Sequence, residues 1–286
     1  MKKVLVLFIV LLLIPIAASA NDASMGRNGE TVYPLEETDV RMVAEDIYVK
    51  YNSGASGQVK CEFVFENSGE AKTVLMGFPA EEKLYAESLT TIENVRLRNF
   101  TADKNGSPIE VKESPGEDMG DEFSKYTSWY VFEVPFEAGE TLTMTHEYDV
   151  SFTGYSTGQV MVGYILETGS TWNGPIGHTK VTFDFTDMNP WGITMQGYPE
   201  LNSFTYDNGL LIFEKSDYVP DFNLNVEVFW LADVTHTDTS WKEIWPEIDE
   251  RFNESKAFFD NSSSVSANGL VQAYNELTYT EKLIET

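Results

Sequence analysis

Thr141-Leu-Thr-Met-Thr-His-Glu-Tyr-Asp-Val-Ser-Phe152 is the stretch whose reading decides the fold class. Leu142, Met144, Tyr148, Val150 and Phe152 recur at every second position, with His146 in the same phase. A period of two sends alternate side chains to opposite faces of a strand, so one face of this segment is buried and the other is not. That pattern belongs to an antiparallel sheet with one packed face. His146 lies on the inward side, where a core histidine is favoured over a ligand or a base.

The same period runs outward in both directions. Upstream, Ile47, Val49 and Tyr51 alternate, then Val59, Cys61, Phe63 and Phe65, then Thr73 to Phe78, and then Tyr130, Phe132, Val134 and Phe136. Trp129 and Val131 fall in the opposite phase to Tyr130 and Phe132, so that strand reads as covered on both faces. Glu66-Asn-Ser-Gly69 is a turn, and a hairpin is expected from Val95 and Leu97 through Asp103-Lys-Asn-Gly106 to Ile109 and Val111. Asn-Gly suits such a turn because both central residues need positive φ.

Downstream, Val160, Val162, Tyr164 and Leu166 lead into a Gly-rich segment, and Val181, Phe183 and Phe185 lead out of it. Phe204 to Phe213 reads as a hairpin turning at Asp207-Asn-Gly209, and Phe222 to Trp230 as a last strand. From Trp241 the apolar spacing becomes helical, with Pro246 disturbing the first turn. The expected fold is therefore mainly β: an antiparallel β-sandwich, one large or two in tandem, with a short C-terminal helical tail. The expected spans are 1–20 for a signal peptide, 21–155 and 156–235 for two β units, and 236–286 for the tail.

Compartment and charge narrow the function. Lys2 and Lys3, the apolar run Val4 to Ile14, and Ala18-Ser-Ala20 form the three parts of a secretory signal peptide. The run is shorter than the roughly 20 residues a membrane-spanning helix needs, so no membrane span is expected after cleavage. The expected location is secreted, extracellular or within the cell envelope. The 286 residues carry 46 acidic against 19 basic side chains, a net charge of −27, which disfavours nucleic acid as a partner. Cys61 is the single cysteine, so no intramolecular disulfide can form, and it reads as a small core residue.

The residues with chemical potential are few. The sequence has three histidines, His146, His178 and His236, and contains no Gly-x-Ser-x-Gly elbow and no His-Glu-x-x-His pair. Carboxylates are so abundant that no pair stands out as an acid and base. An acidic loop holds Glu117, Asp118, Asp121 and Glu122 beside Glu113; calcium is the cation it would suit. It lacks the spacing of an EF-hand, a solvated loop is favoured, and no cofactor is expected.

Two aromatic regions are candidate interaction surfaces. Trp172, Asn173 and His178, with Trp191 and Tyr198 in the next loop, could form a ligand platform of rings and amides. The competing reading makes Trp172 a plug held in a Gly-rich turn that joins two β units, and that reading is favoured. Trp241 and Trp245 could dock on a partner, since the acidic polar face of their helix opposes anionic lipid.

Val40-Arg-Met-Val-Ala-Glu-Asp-Ile-Tyr-Val49, Val59 to Asn67 with its Phe-x-Phe-x-Asn, and Leu75-Met-Gly-Phe-Pro79 together resemble the bacterial family called domain of unknown function 4424. Tyr164-Ile-Leu-Glu-Thr-Gly and Trp172-x-Gly-Pro-Ile-Gly177 extend the resemblance. It implies an exported, β-rich bacterial protein and carries no catalytic residue with it. The expected function is a non-catalytic binding or interaction protein, with a cell-envelope protein or glycan as partner. The alternative is an extracellular hydrolase acting on glycans through paired carboxylates.

Overall fold

A computed structural model describes residues 23–24, 33–35, 38–52, 54–84, 93–116, 126–155, 159–188, 193–194 and 204–229. The first strands are β1 (Ala23–Ser24), β2 (Tyr33–Pro34), β3 (Arg41–Asn52), β4 (Ser56–Glu66), β5 (Lys72–Leu84) and β6 (Glu93–Arg96). Then come β7 (Arg98–Lys104), β8 (Ser107–Pro108), β9 (Lys112–Pro115), β10 (Tyr126–Phe136), β11 (Thr141–Ser151) and β12 (Thr153–Tyr155). The last are β13 (Gln159–Tyr164), β14 (Ile176–Asp184), β15 (Ile193–Thr194), β16 (Phe204–Asp207), β17 (Leu210–Tyr218) and β18 (Leu224–Phe229). A 3-10 turn over Glu167–Thr171 separates β13 from β14. The protein is mainly β. The helical tail expected over 236–286 lies outside the described residues, as does the expected signal peptide.

The strands form three sheets. The largest has eight strands in the order β16-β17-β14-β3-β4-β11-β7-β8. A second runs β2-β5-β10-β9 with β6 on β5, and a third runs β1-β12-β13-β18-β15. Both smaller sheets meet the same face of the large one. His146 on β11 and Cys61 on β4 are register partners and so share that face. The His146 ring packs against Phe78 of β5 and Phe132 of β10, while Cys61 Sγ lies 3.6 Å from the Tyr164 hydroxyl of β13. The core follows the phase read in the sequence: Ile47, Val49, Cys61, Phe63, Phe65, Met144, His146 and Val150 are all fully buried.

β14 lies parallel to β3, with Val181 opposite Ile47. It thereby joins three strands from the 156–235 span, β14, β16 and β17, in one sheet with five from the 21–155 span. A parallel neighbour needs a long crossover. Here the Gly-rich stretch after β13 supplies the final step, taking the chain from the third sheet into the large one.

The turns at Asn105-Gly106 and Asn208-Gly209 both have positive φ at both residues, as the hairpin reading requires. One expectation needs correction. Val95 and Leu97 do not start the hairpin, because the chain changes sheet at Leu97. β6 pairs with β5, whereas β7 pairs with β11; the return arm is Ser107–Pro108, and the Ile109 amide still reaches the Ala102 carbonyl at 3.0 Å. β10 is covered on both faces, with Trp129 fully buried against Tyr126 on the side away from the main core.

Candidate functional site

The Gly-rich stretch is a packing element. Trp172 is only 3% exposed, and its ring centroid lies 4.5 Å from that of Phe65. The 3-10 turn brings the Trp172 amide back to the Gly169 carbonyl at 3.4 Å and points the indole inward. Trp172 therefore offers no ring to solvent, which corrects its place in the ligand platform. Asn173 is exposed, but its side-chain amide donates to the Asp39 carbonyl at 3.1 Å, clamping the loop to the lead-in of β3. His178 lies at the start of β14, its Nε2 2.8 Å from Glu214 Oε1 across the pair with β17. Trp191, Tyr198, Glu117, Asp118, Asp121, Glu122, Trp241 and Trp245 all lie outside the described residues. Among the described residues, no three His, Cys, Asp or Glu side chains converge as a metal site.

His146 and Glu45 are among the polar groups buried in the core instead. His146 has no hydrogen-bond partner among the described residues and is surrounded by Phe63, Phe78, Phe100 and Phe132, with centroids 5.2–5.6 Å away. Burial pushes its pKa down to about 3, so the ring is neutral and acts as an aromatic. Glu45 is 1% exposed and accepts a hydrogen bond from Thr179 Oγ1 at 2.9 Å, with its other oxygen unpartnered among the described residues. Burial raises its pKa to about 7, only partly offset by the Thr179 bond. Burial likewise pushes the Cys61 thiol up to about 12, so it is neither a nucleophile nor a ligand in the folded protein.

The accessible chemistry lies on the opposite face of the large sheet. There β3, β4, β11 and β7 line an open hollow of about 500 Å³. Its floor is the polar phase of the alternating strands. Register carries one row straight across four of them: Tyr48 beside Lys60, Lys60 beside Glu147, and Glu147 beside Thr101. The next row sets Lys50 beside Gln58 and Gln58 beside Asp149. Three inter-strand steps make the first row about 14 Å long.

Side chains in the hollow hold one another in place. Lys60 Nζ lies 2.9 Å from Glu147 Oε1, and that bond raises the lysine pKa. Asp149 accepts from Gln58 Nε2 at 3.3 Å on one oxygen and from Asn99 Nδ2 at 2.5 Å on the other. Asn99 takes a positive φ of 54° beside a register shift in the β7–β11 pair.

Tyr48 is 39% exposed, one of two large apolar side chains in the open among the described residues. Its hydroxyl donates to Asp184 Oδ2 on β14. Burial and that bond both raise the phenol pKa, so the ring is neutral and fixed in orientation. Asp184 is in turn gripped by the Thr186 amide and hydroxyl and by Lys50 at 3.1 Å. Burial opposes the charge on Lys50, but Asp187 at 2.7 Å and Asp184 outweigh it and raise its pKa.

The sequence reading missed this surface because it followed the apolar phase of each strand. The available signal was Tyr48, an aromatic in the polar phase of Ile47, Val49 and Tyr51. Nothing local to β3 could reveal that Lys60, Glu147 and Thr101 would line up beside it, since register is a tertiary property.

No protein-family model matches the chain, and no curated protein matches it. Among solved structures it is similar to a Legionella pneumophila protein described as a candidate nutrient binding protein. The two share 19% identity and a TM-score of 0.54, over 82% of this chain and 91% of that one. This likeness is one of fold. A zinc metallopeptidase of the M1 class from Deinococcus radiodurans overlaps at 10% identity and a TM-score of 0.34, over 66% of this chain and 42% of that one. At that score the overlap says nothing about peptidase chemistry here.

Proposed function

We propose that the protein is an exported, non-catalytic binding protein that takes a polar component of the cell envelope onto the outer face of its large sheet. The observation that carries this reading is the hollow itself, an open concavity whose floor is prearranged by hydrogen bonds among its own side chains. Its volume falls within the few hundred to about 1,000 Å³ usual for ligand pockets. A fixed floor lowers the ordering cost of binding. The fold shared with a candidate nutrient binding protein supports the same class of function. Export rests on the N-terminal leader pattern, and the resemblance to the domain of unknown function 4424 family agrees with it. The architecture is read as one large sandwich, its layers being the eight-stranded sheet and the two smaller sheets. No helix among the described residues is long and apolar enough to cross a membrane.

Co-sedimentation of the chain from residue 21 with insoluble cell-envelope material tests this. Capture should be saturable, weakened at least tenfold by the double variant Lys60→Ala/Thr101→Ala, and unchanged by His178→Ala. Equal capture of the double variant and the unaltered chain would exclude the hollow as the site.

A second reading has one observation in its favour. Glu147 and Asp149 both line the hollow and stand two residues apart on β11, roughly 7 Å along the strand. That spacing is compatible with a glycosidase pair. Such a pair, however, must flank the scissile bond, whereas these two share one face of one strand and are each held by neighbours. Reducing-end release from envelope glycans, abolished by Glu147→Gln, would establish the hydrolase reading instead.

A further inference from the structure

The composition of the hollow goes further than its presence. A ligand site for an anion or a cation keeps a counter-charge available for it. Here the two lysines are already matched, Lys60 by Glu147 and Lys50 by Asp184 and Asp187. Asp149 is matched as well, by two amide donors. The floor is rich in ions, yet every charge has a partner of its own, so an ionic ligand would have to break existing pairs.

What remains open to a ligand is of another kind. Tyr48 is 39% exposed and lines the hollow, and its hydroxyl is tied off on Asp184. Gln58 and Asn99 each spend one N–H on Asp149 and keep their amide oxygens without a partner among the described residues. Those oxygens are acceptors for hydroxyl donors. The Thr101 hydroxyl closes the far end of the row. A fixed aromatic face, uncommitted acceptors and a hydroxyl along about 14 Å match a flat molecule with C–H groups on one face and hydroxyls around its edge.

We infer that the hollow binds a neutral oligosaccharide, with one sugar ring stacked on Tyr48 and the next units running across β4 and β11 toward Thr101. This rests on the proposed binding function and specifies its ligand class. Stacking supplies apolar contact without charge, and the amide oxygens of Gln58 and Asn99 receive the hydroxyls. An anionic sugar or an acidic peptide would meet Glu147 and Asp149, while the two lysines that line the hollow, Lys50 and Lys60, are already paired.

The test is calorimetric titration of the mature chain with a panel of neutral hexose and N-acetylhexosamine tetrasaccharides. Tetragalacturonate and oligolysine serve as the charged comparators. At least one neutral member should bind with a 1:1 end-point. Tyr48→Ala should weaken it at least tenfold and Tyr48→Phe less than threefold, because the ring and not the hydroxyl makes the contact. Near-UV circular dichroism of both variants should match that of the unaltered chain. Changing NaCl from 50 to 500 mM should alter the affinity less than twofold. Absence of binding by the whole neutral panel overturns the assignment, as does binding that Tyr48→Ala leaves intact. Tight binding of a charged comparator, lost in Lys60→Ala/Thr101→Ala, would also overturn the sugar assignment while leaving the binding hollow standing.

Discussion

Glu45 reaches the inward face of β3 because it shares the phase of Ile47, while a register shift between Met42 and Ala44 lets Met42 and Val40 face the core as well. A buried carboxyl with one oxygen bonded and one not is stable chiefly when protonated. Its folded pKa of about 7 exceeds the ordinary 4.5, so the folded state holds its proton more tightly than the unfolded chain does. Glu45 thus favours folding most below pH 4.5, and that contribution is lost as pH rises through about 7. The span corresponds to roughly 3 kcal/mol. Glu45→Gln should flatten the fall in urea midpoint between pH 5 and 8 and be the more stable form at pH 8. A profile parallel to that of the unaltered chain would contradict this account.

Asn67 shows the opposite case, a buried polar group that is fully engaged. Its amide donates to the Glu70 and Glu137 carbonyls at 2.8 and 2.9 Å, and its oxygen accepts from the Gly69 amide at 3.2 Å. It ties the turn after β4 to the turn before β11. Asn67→Ala leaves these backbone groups without partners and should cost about 2–4 kcal/mol in chemical denaturation.

At the scale of the elements, the parallel pairing of β3 with β14 is the join on which the large sheet depends. Gly177 permits it, because a Cβ there would stand 2.7 Å from the Val43 carbonyl oxygen, a backbone atom that cannot swing aside. Gly177→Ala should therefore lower the melting temperature, consistent with an overpacking cost of about 1–3 kcal/mol. Gly54→Ala, where the space is open, reports only the cost of positive φ for comparison. Strand identity was legible in the sequence wherever one phase was apolar, as at Val59 to Phe65 and Leu142 to Phe152. The turns at Asn105 and Asn208 were legible because their chemistry is local. The sheet change at Leu97 was not, since Val95 and Leu97 share one phase of a period-two pattern while the strands on either side, β6 and β7, pair with β5 and β11. Trp172 shows the same limit in a site: the glycines around it read as a tight turn, but only packing against Phe65 decides which way the ring points.

For the whole molecule, one eight-stranded sheet draws strands from both halves of the chain, and a single buried cluster runs from Val40 to Val228. Unfolding should accordingly be one cooperative transition, with near-UV and far-UV circular dichroism giving the same midpoint. Two separated transitions would mean that the strands before and after residue 155 hold together independently. Closing the core on one side leaves the polar phase of β3, β4, β11 and β7 as a continuous outer surface, and in the hollow that surface is both concave and prearranged. The most direct test is to titrate the isotopically labelled chain from residue 21 with soluble fragments of bacterial cell-envelope glycan and follow backbone amide shifts. The account predicts shifts concentrated at Tyr48, Lys60, Glu147, Asp149 and Thr101, with the fragments recovered uncleaved. Shifts centred on Asn173 to His178, or no shifts at saturating fragment, would contradict it.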